Sequence, residues 1–226
     1  MTRVIYDMDK TITRKPTYTR WLVHWAAREA PWRLALLPLA GVAAVGFRIG
    51  LMRRDRLKEI AQRLMMGNAA PRAVVERHAA GFAATVALLP GAVTQIAADR
   101  AEGHDIVVAT ASFGFYARAI VARLGITAVV ATGSVWDGDR LRARIDGDNC
   151  YGVAKAAMVA AAFPGERFVR AYSDHVSDAA LFAMAAEPVA VTPSRGLRRL
   201  ARAQGWRIAD WRLRQRTSFT WRPRMR

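Results

Sequence analysis

Apolar and polar positions alternate along this chain in two different rhythms. Arg3–Val4–Ile5–Tyr6 is a short β-prone run that ends on Asp7. From about residue 18 to residue 88 the apolar positions recur at helical spacing. They predict helices over residues 17–29, 32–52, 55–66 and 71–87, punctuated by Pro31, Gly67–Asn68 and Pro90–Gly91. After Gly91 short apolar runs alternate with helical segments. Strands are expected at 105–109, 128–131, 168–172 and 188–191, and helices at 92–102, 115–124, 153–163, 178–185 and 194–203. Asp137–Gly138–Asp139 predicts the turn of a hairpin between residues 134–136 and 141–145. Alternating strands and helices imply an α/β fold with a parallel sheet covered on both faces. The helical block then reads as an insertion after the first strand. The expected organisation is a core of residues 1–16 and 89–226 with a helical cap of residues 17–88.

Composition supports a folded core: 53% of the 226 residues are hydrophobic and 23% are charged. The single cysteine, Cys150, has no partner for an internal disulfide, which fits a reducing compartment. No charged start followed by an apolar region precedes the first strand, so no secretory signal is read. These features predict a cytoplasmic protein. The net charge of +17 is carried mostly by arginine, since the lysines are only Lys10, Lys15, Lys58 and Lys155. Residues 195–226 hold 11 arginines against one acid, Asp210, with Trp206, Trp211 and Trp221 among them. Such a stretch attracts anionic partners or is simply a solvated face.

In an open parallel sheet, ligands bind beyond the carboxyl ends of the strands. Asp7 and Asp9 follow the first predicted strand, Thr110 the second and Asp174 the fourth, while Lys155 opens a helix. These groups suit phosphoryl transfer. A carboxylate can attack phosphorus, and a second can exchange a proton with the leaving oxygen and then with water. A hydroxyl and an ammonium can hold the phosphoryl oxygens. Several carboxylates suit magnesium, a hard cation that prefers oxygen ligands. Each residue also has a plainer reading: turn or helix-cap duty for Asp7, Asp9, Thr110 and Ser112, a dipole-favoured position for Asp178, a solvated one for Lys155.

Taken in order, these segments resemble the haloacid dehalogenase superfamily. Asp7–Met8–Asp9–Lys10–Thr11 looks like its first motif, DxDxT. Thr110 after Val107–Val108–Ala109 looks like the second, and Lys155 in Gly152–Val153–Ala154–Lys155 like the third. Ser173–Asp174–His175–Val176–Ser177–Asp178 looks like the fourth, usually GDGxxD, with His175 in a glycine's place. The insertion between the first two motifs is similar to the cap of the phosphoserine-phosphatase-like branch, subfamily IB. The resemblance implies a Rossmann-like core and a Mg2+-dependent phosphatase working through an aspartyl-phosphate. It implies Asp7 as nucleophile and Asp9 as acid/base. Thr110, Lys155 and Thr11 would serve the phosphoryl group, with Thr11 supporting the loop. Asp7, Asp9 (through its carbonyl), Asp174 and Asp178 would serve the metal, Asp178 in it or close behind. Dehalogenases of the superfamily lack the second aspartate, so Asp9 favours phosphate chemistry.

Departures from that branch concern the substrate. The glutamate expected near Pro16 to read a substrate ammonium is missing, and Arg14, Lys15 and Thr17 stand there instead. Ala111 and Ser112 replace the glycines usual after the second motif. Arg14, Lys15 and Arg20 suggest a basic entrance for a substrate with extra negative charge. Residues 34–47 carry no charge, are flanked by Arg33 and Arg48, and contain Pro38 and Gly41. Fourteen residues are fewer than the roughly 20 a bilayer span needs. They read as a buried cap helix or as an interfacial helix peripheral on the inner face of a membrane. Bacterial phosphatidylglycerophosphate phosphatases look similar in this respect, which adds a lipid phosphate to the small-metabolite phosphates as a substrate class. Two other readings stand beside hydrolysis: a binding module built on the basic tail, for anionic membrane ahead of nucleic acid, and a phosphotransferase.

Overall fold

The structure is a computed structural model and describes residues 2–212. Of the basic segment, residues 213–226, including Trp221, lie outside the described residues.

The strands are β1 (Arg3–Asp7), β2 (Ala69–Pro71), β3 (Asp105–Phe113), β4 (Ala128–Thr132), β5 (Trp136–Asp137), β6 (Arg140–Arg142), β7 (Phe168–Ser173), β8 (Ala185–Val191) and β9 (Arg207–Ala209). The helices are α1 (Tyr18–Glu29), α2 (Leu37–Arg48), α3 (Arg54–Met66), α4 (Arg72–Thr85), α5 (Pro90–Ala101), α6 (Gly114–Ala122), α7 (Val153–Ala162), α8 (Ala179–Phe182) and α9 (Arg195–Ala203). Six strands form one sheet in the order β4-β3-β1-β7-β8-β9, every pair parallel. The expected doubly covered parallel sheet is therefore present.

β1 is apolar on both sides because both sides are covered. Val4 and Tyr6 join an apolar cluster with α5, α6 and the helices of the insertion, while Ile5 joins a second cluster with α7, α8 and α9. In the first cluster Trp21, Trp25 and Phe82 of the insertion pack continuously with Tyr116 and Ile120 of α6. Trp211, grouped with the basic tail on sequence, is fully buried against Tyr6 and Tyr172. Trp206 packs on Phe182. Neither is an exposed membrane anchor.

Five segments differ from the sequence expectation. β3 does not end before Thr110 but continues through it to Phe113. Residues 32–52 are not one helix: a 3-10 stretch (Pro31–Leu36) precedes α2, and Pro38 stands in the first turn, where its missing N–H costs nothing. Ala69–Pro71 is a strand that pairs antiparallel with β6, so the hairpin β5–β6 becomes a three-stranded sheet with the insertion. The helix expected through residue 185 stops at Phe182, because Ala185 already pairs with Phe168. β9 extends the sheet edge where no strand was expected. At the base of the insertion its entry and exit run side by side. Arg14 donates its backbone N–H to Ala87 at 2.9 Å, and Leu89 to Ile12 at 2.8 Å.

Candidate active site

Register brings the distant motifs together. Asp7 ends β1 beside Ala109 of β3, and Tyr6 pairs with Tyr172 of β7, so Thr110 and Ser173–Asp174 lie one step on at the same rim. β1 is central, and the strands are added outward from it first on one side (β3, β4) and then on the other (β7, β8, β9), a reversal that is where open α/β sheets place a crevice. After Asp7 the chain turns tightly: Ile12 and Thr13 both donate backbone N–H groups to the Met8 carbonyl at 2.9 Å. Lys10 takes a left-handed φ of 60° in this loop, an uncommon state for a side-chain-bearing residue.

A cavity of ≈ 260 Å³ opens at this rim, and Asp7, Asp9, Thr110, Lys155, Asp174 and Asp178 all reach its wall. Lys155 is buried and donates to Asp7 Oδ1 at 2.7 Å and to Asp178 Oδ2 at 3.0 Å. Ser173 also donates to Asp178, at 2.6 Å. The Asp178 carboxylate is thus turned toward Lys155 and Ser173. Thr11 is fully buried, does not reach the cavity wall, and donates to Asp7 Oδ2 at 3.3 Å. Its position is behind Asp7, holding it, rather than against a bound phosphoryl group. The Asp9 carboxylate accepts from the Thr17 backbone N–H at 2.9 Å and from the Ser112 hydroxyl at 2.8 Å. Ser112 therefore orients Asp9, while Thr110 accepts the Ser112 N–H at 3.0 Å.

Electrostatics follow from three carboxylates around one ammonium. Burial lifts Asp7 to about 8 against the pull of Lys155, and the charges of Asp178 and Asp174 add to the rise. Burial lifts Asp9 as well, opposed by its bonds to Thr17 and Ser112. Burial takes Asp174 up to about 6, with Lys10 opposing. Burial works against charge on Lys155, but Asp7 and Asp178 hold its ammonium protonated well above the ordinary range.

Among the described residues no three His, Cys, Asp or Glu side chains gather closely enough to enclose an ion alone. Magnesium does not require that, since it retains waters and is commonly held by one or two carboxylates. Asp7 and Asp174 are two such carboxylates on one wall, and a cation between them would offset both the burial that raises Asp7 and the added charge of Asp178 and Asp174. The donor set fits a magnesium ion.

The expected basic entrance divides. Arg14 and Lys15 line a neighbouring cavity that shares Lys10 and Asp174 with the site, whereas Arg20 lies over the Phe82 ring in a separate groove. Besides Lys155, the cations on the wall of the site itself are Lys10 and Arg54, which sequence reasoning did not single out. Arg54 stacks on Tyr151, 4.0 Å from its ring centre, and on Phe47 of α2 at 5.2 Å. His175 reaches the wall but is occupied locally, bonding the Ser177 hydroxyl at 2.9 Å and accepting the Ser177 N–H at 3.2 Å.

A second lysine was also missed. Lys58, on α3, is buried and donates to the Ala111 carbonyl at 2.8 Å, Asn149 Oδ1 at 2.9 Å and Thr132 Oγ1 at 3.3 Å. It pins the insertion to the residue after Thr110. Burial pushes its ammonium down to about 7, with Asp55 opposing. Scarcity was the available signal: in an arginine-rich chain Lys58 is as rare as Lys155.

Residues 4–183 match the family model of the haloacid dehalogenase-like hydrolases. The chain belongs to that family. Phosphoserine phosphatase SerB1 of Mycobacterium tuberculosis is 30% identical over 115 residues, 49% of this chain and 37% of that protein. The inhibition of morphological differentiation protein of Streptomyces azureus is 36% identical over 122 residues, 50% of this chain and 44% of that one. The matched segments thus span less than half of these relatives. Among solved structures, a Bordetella pertussis protein of unknown function superposes with a TM-score of 0.82 at 22% identity, covering 93% of this chain and 100% of that one. A phospho-aspartyl intermediate analogue of phosphoserine phosphatase superposes with a TM-score of 0.62 at 16% identity, covering 96% and 95%. These likenesses show a shared fold. No helix among the described residues is long and apolar enough to cross a membrane.

Proposed function

We propose that this chain hydrolyses a phosphate monoester with Mg2+, through a phosphoryl group carried on Asp7. The observation that supports this best is the position of Lys155, bonded to Asp7 Oδ1 at 2.7 Å on a wall shared with Thr110 and Asp174. Lys155 and Thr110 would hold phosphoryl oxygens while the Asp7 carboxylate attacks in line. Magnesium held by Asp7, Asp174 and the Asp9 carbonyl would neutralise charge between nucleophile and phosphate. Asp9, whose carboxyl burial shifts toward the protonated form, would donate to the leaving oxygen, then take a proton from the water that opens the acyl-phosphate. Asp178 would keep Lys155 charged and in place. Helices α1–α4, with boundaries at residues 17–88, would act as the cap over the site, entering and leaving through the paired segments near Arg14 and Leu89.

The cavity wall supports a substrate with negative charge beyond the transferred group, because Lys10 and Arg54 are left facing it. A phosphorylated small molecule or a lipid headgroup phosphate meets that requirement. Hydrolysis of p-nitrophenyl phosphate with and without Mg2+ tests the reaction. Asp7→Asn should lower kcat by at least about 1,000-fold, the scale on which removing a nucleophile acts. Turnover at the parent rate would remove Asp7 from the mechanism. Alcohol phosphates formed when alcohols are added would instead favour phosphotransfer.

A further inference from the structure

We propose that the outward face of α2, with the 3-10 stretch before it, seats on an anionic lipid bilayer. Seven of the twelve exposed large hydrophobic side chains among the described residues fall within residues 32–51. On α2 and at the residue that caps it, Leu39, Val42, Val45 and Ile49 follow at steps of three, three and four, which places them in one row. The opposite row, with Ala43 and Phe47, faces the protein. A helix apolar on both sides is ordinarily covered on both sides, yet Val42 is 68% exposed and Ile49 65%.

Charge selects the occupant. Between Glu29 and Asp55 there is no acid, while Arg33, Arg48, Arg53 and Arg54 flank the row. A second copy would bring like-charged arginines against each other, whereas an anionic bilayer complements them. Length selects the posture. Twelve residues make a helix about 18 Å long, short of the ~30 Å hydrocarbon core, so α2 lies in the plane of the interface. The row also adjoins the site, because Phe47 of α2 is stacked on Arg54 at the cavity wall. Docking would present the cavity mouth to phosphorylated headgroups. That consequence rests on the proposed hydrolysis; the docking does not.

The test uses the full chain carrying Asp7→Asn, so that binding is read without turnover. Co-sedimentation is measured with vesicles of phosphatidylglycerol and phosphatidylcholine, and with phosphatidylcholine alone. Binding is expected on the anionic vesicles, about tenfold or more weaker on the neutral ones, and weakened again by salt. Val42→Glu with Val45→Glu should lower it about tenfold or more without changing the melting temperature, since both sites are exposed. A companion variant replaces the arginines of residues 213–226 by glutamine at full length. Binding that survives the α2 pair but disappears in the companion would assign attraction to the tail and overturn the proposal. Absence of binding by the parent would also overturn it. So would a dimer in sedimentation equilibrium that the α2 pair dissociates while vesicle binding persists. Failure of Asp7→Asn to abolish hydrolysis would strike the mechanism alone.

Discussion

Replacing Asp7 should stabilise the metal-free protein. Asp7 and Asp178 share the buried ammonium of Lys155, Asp174 adds its charge nearby, and the cluster keeps a proton that the unfolded chain gives up near pH 4. With Asp7 at about 8 folded and 3.8 unfolded, the native state binds more protons than the unfolded state throughout that window. Stability therefore falls as pH rises from about 4 to about 8. At pH 7 the gap is about three units at 1.4 kcal/mol each, roughly 4 kcal/mol if one site carried it all. Asp7→Asn removes this cost but weakens one charged hydrogen bond to Lys155, worth about 1.5–3 kcal/mol. The net expectation is a gain of about 1–3 kcal/mol, or roughly 3–10 °C in Tm for a chain of this size. Thermal melts with a chelator at pH 5, 7 and 8 measure it. The advantage of the variant should widen with pH, and added Mg2+ should raise the parent's Tm more than the variant's. An Asp7→Asn protein that melts below the parent at pH 7, or with a pH-independent difference, would refute the idea of a carboxylate cluster in excess of its counter-charge.

Other substitutions report on neighbouring parts of the site and fold. Lys155→Met should cost about 3–5 kcal/mol at pH 7, because Asp7 and Asp178 lose their shared partner, and chemical denaturation at pH 5 should show part of that loss recovered. Lys58→Met should cost about 2–4 kcal/mol by leaving the Ala111 carbonyl and Asn149 Oδ1 short of a donor, and should raise KM as the insertion loosens; unchanged urea midpoint and KM would remove it from the interface. Gly91→Ala should destabilise by about 1–3 kcal/mol, since a Cβ there would meet Trp211 atoms at 2.7 Å, and urea denaturation reads the cost directly.

The parts of the site legible in sequence are those where one residue type sits at one strand end. Asp7 and Asp174 needed only the ends of β1 and β7, and Thr110 the point within β3 where the apolar run gives way to polar residues. Lys58 and Arg54 were not legible, because their roles depend on how α3 lies across the rim, which helical periodicity does not encode. β2 escaped for a similar reason. Three residues before a helix have no strand signature of their own, and its partner β6 is some seventy residues away. Trp211 was misgrouped because surrounding arginines describe the solvent around a segment and not the slot its ring fills.

The slot of Trp211 ties the order of synthesis to the order of folding. Its ring lies against the stacked pair formed by Tyr6, near the start of the chain, and Tyr172, and its carbonyl accepts the Gly91 N–H at 3.2 Å. β1 itself is flanked by β3 and β7, so its second neighbour is made only after more than 160 residues have emerged. A nascent chain stalled short of residue 211 holds an unsealed apolar face on its central strand, and long-range closures of this kind are slow to form. The last described turn of the protein acts as the latch on the strand that carries Asp7.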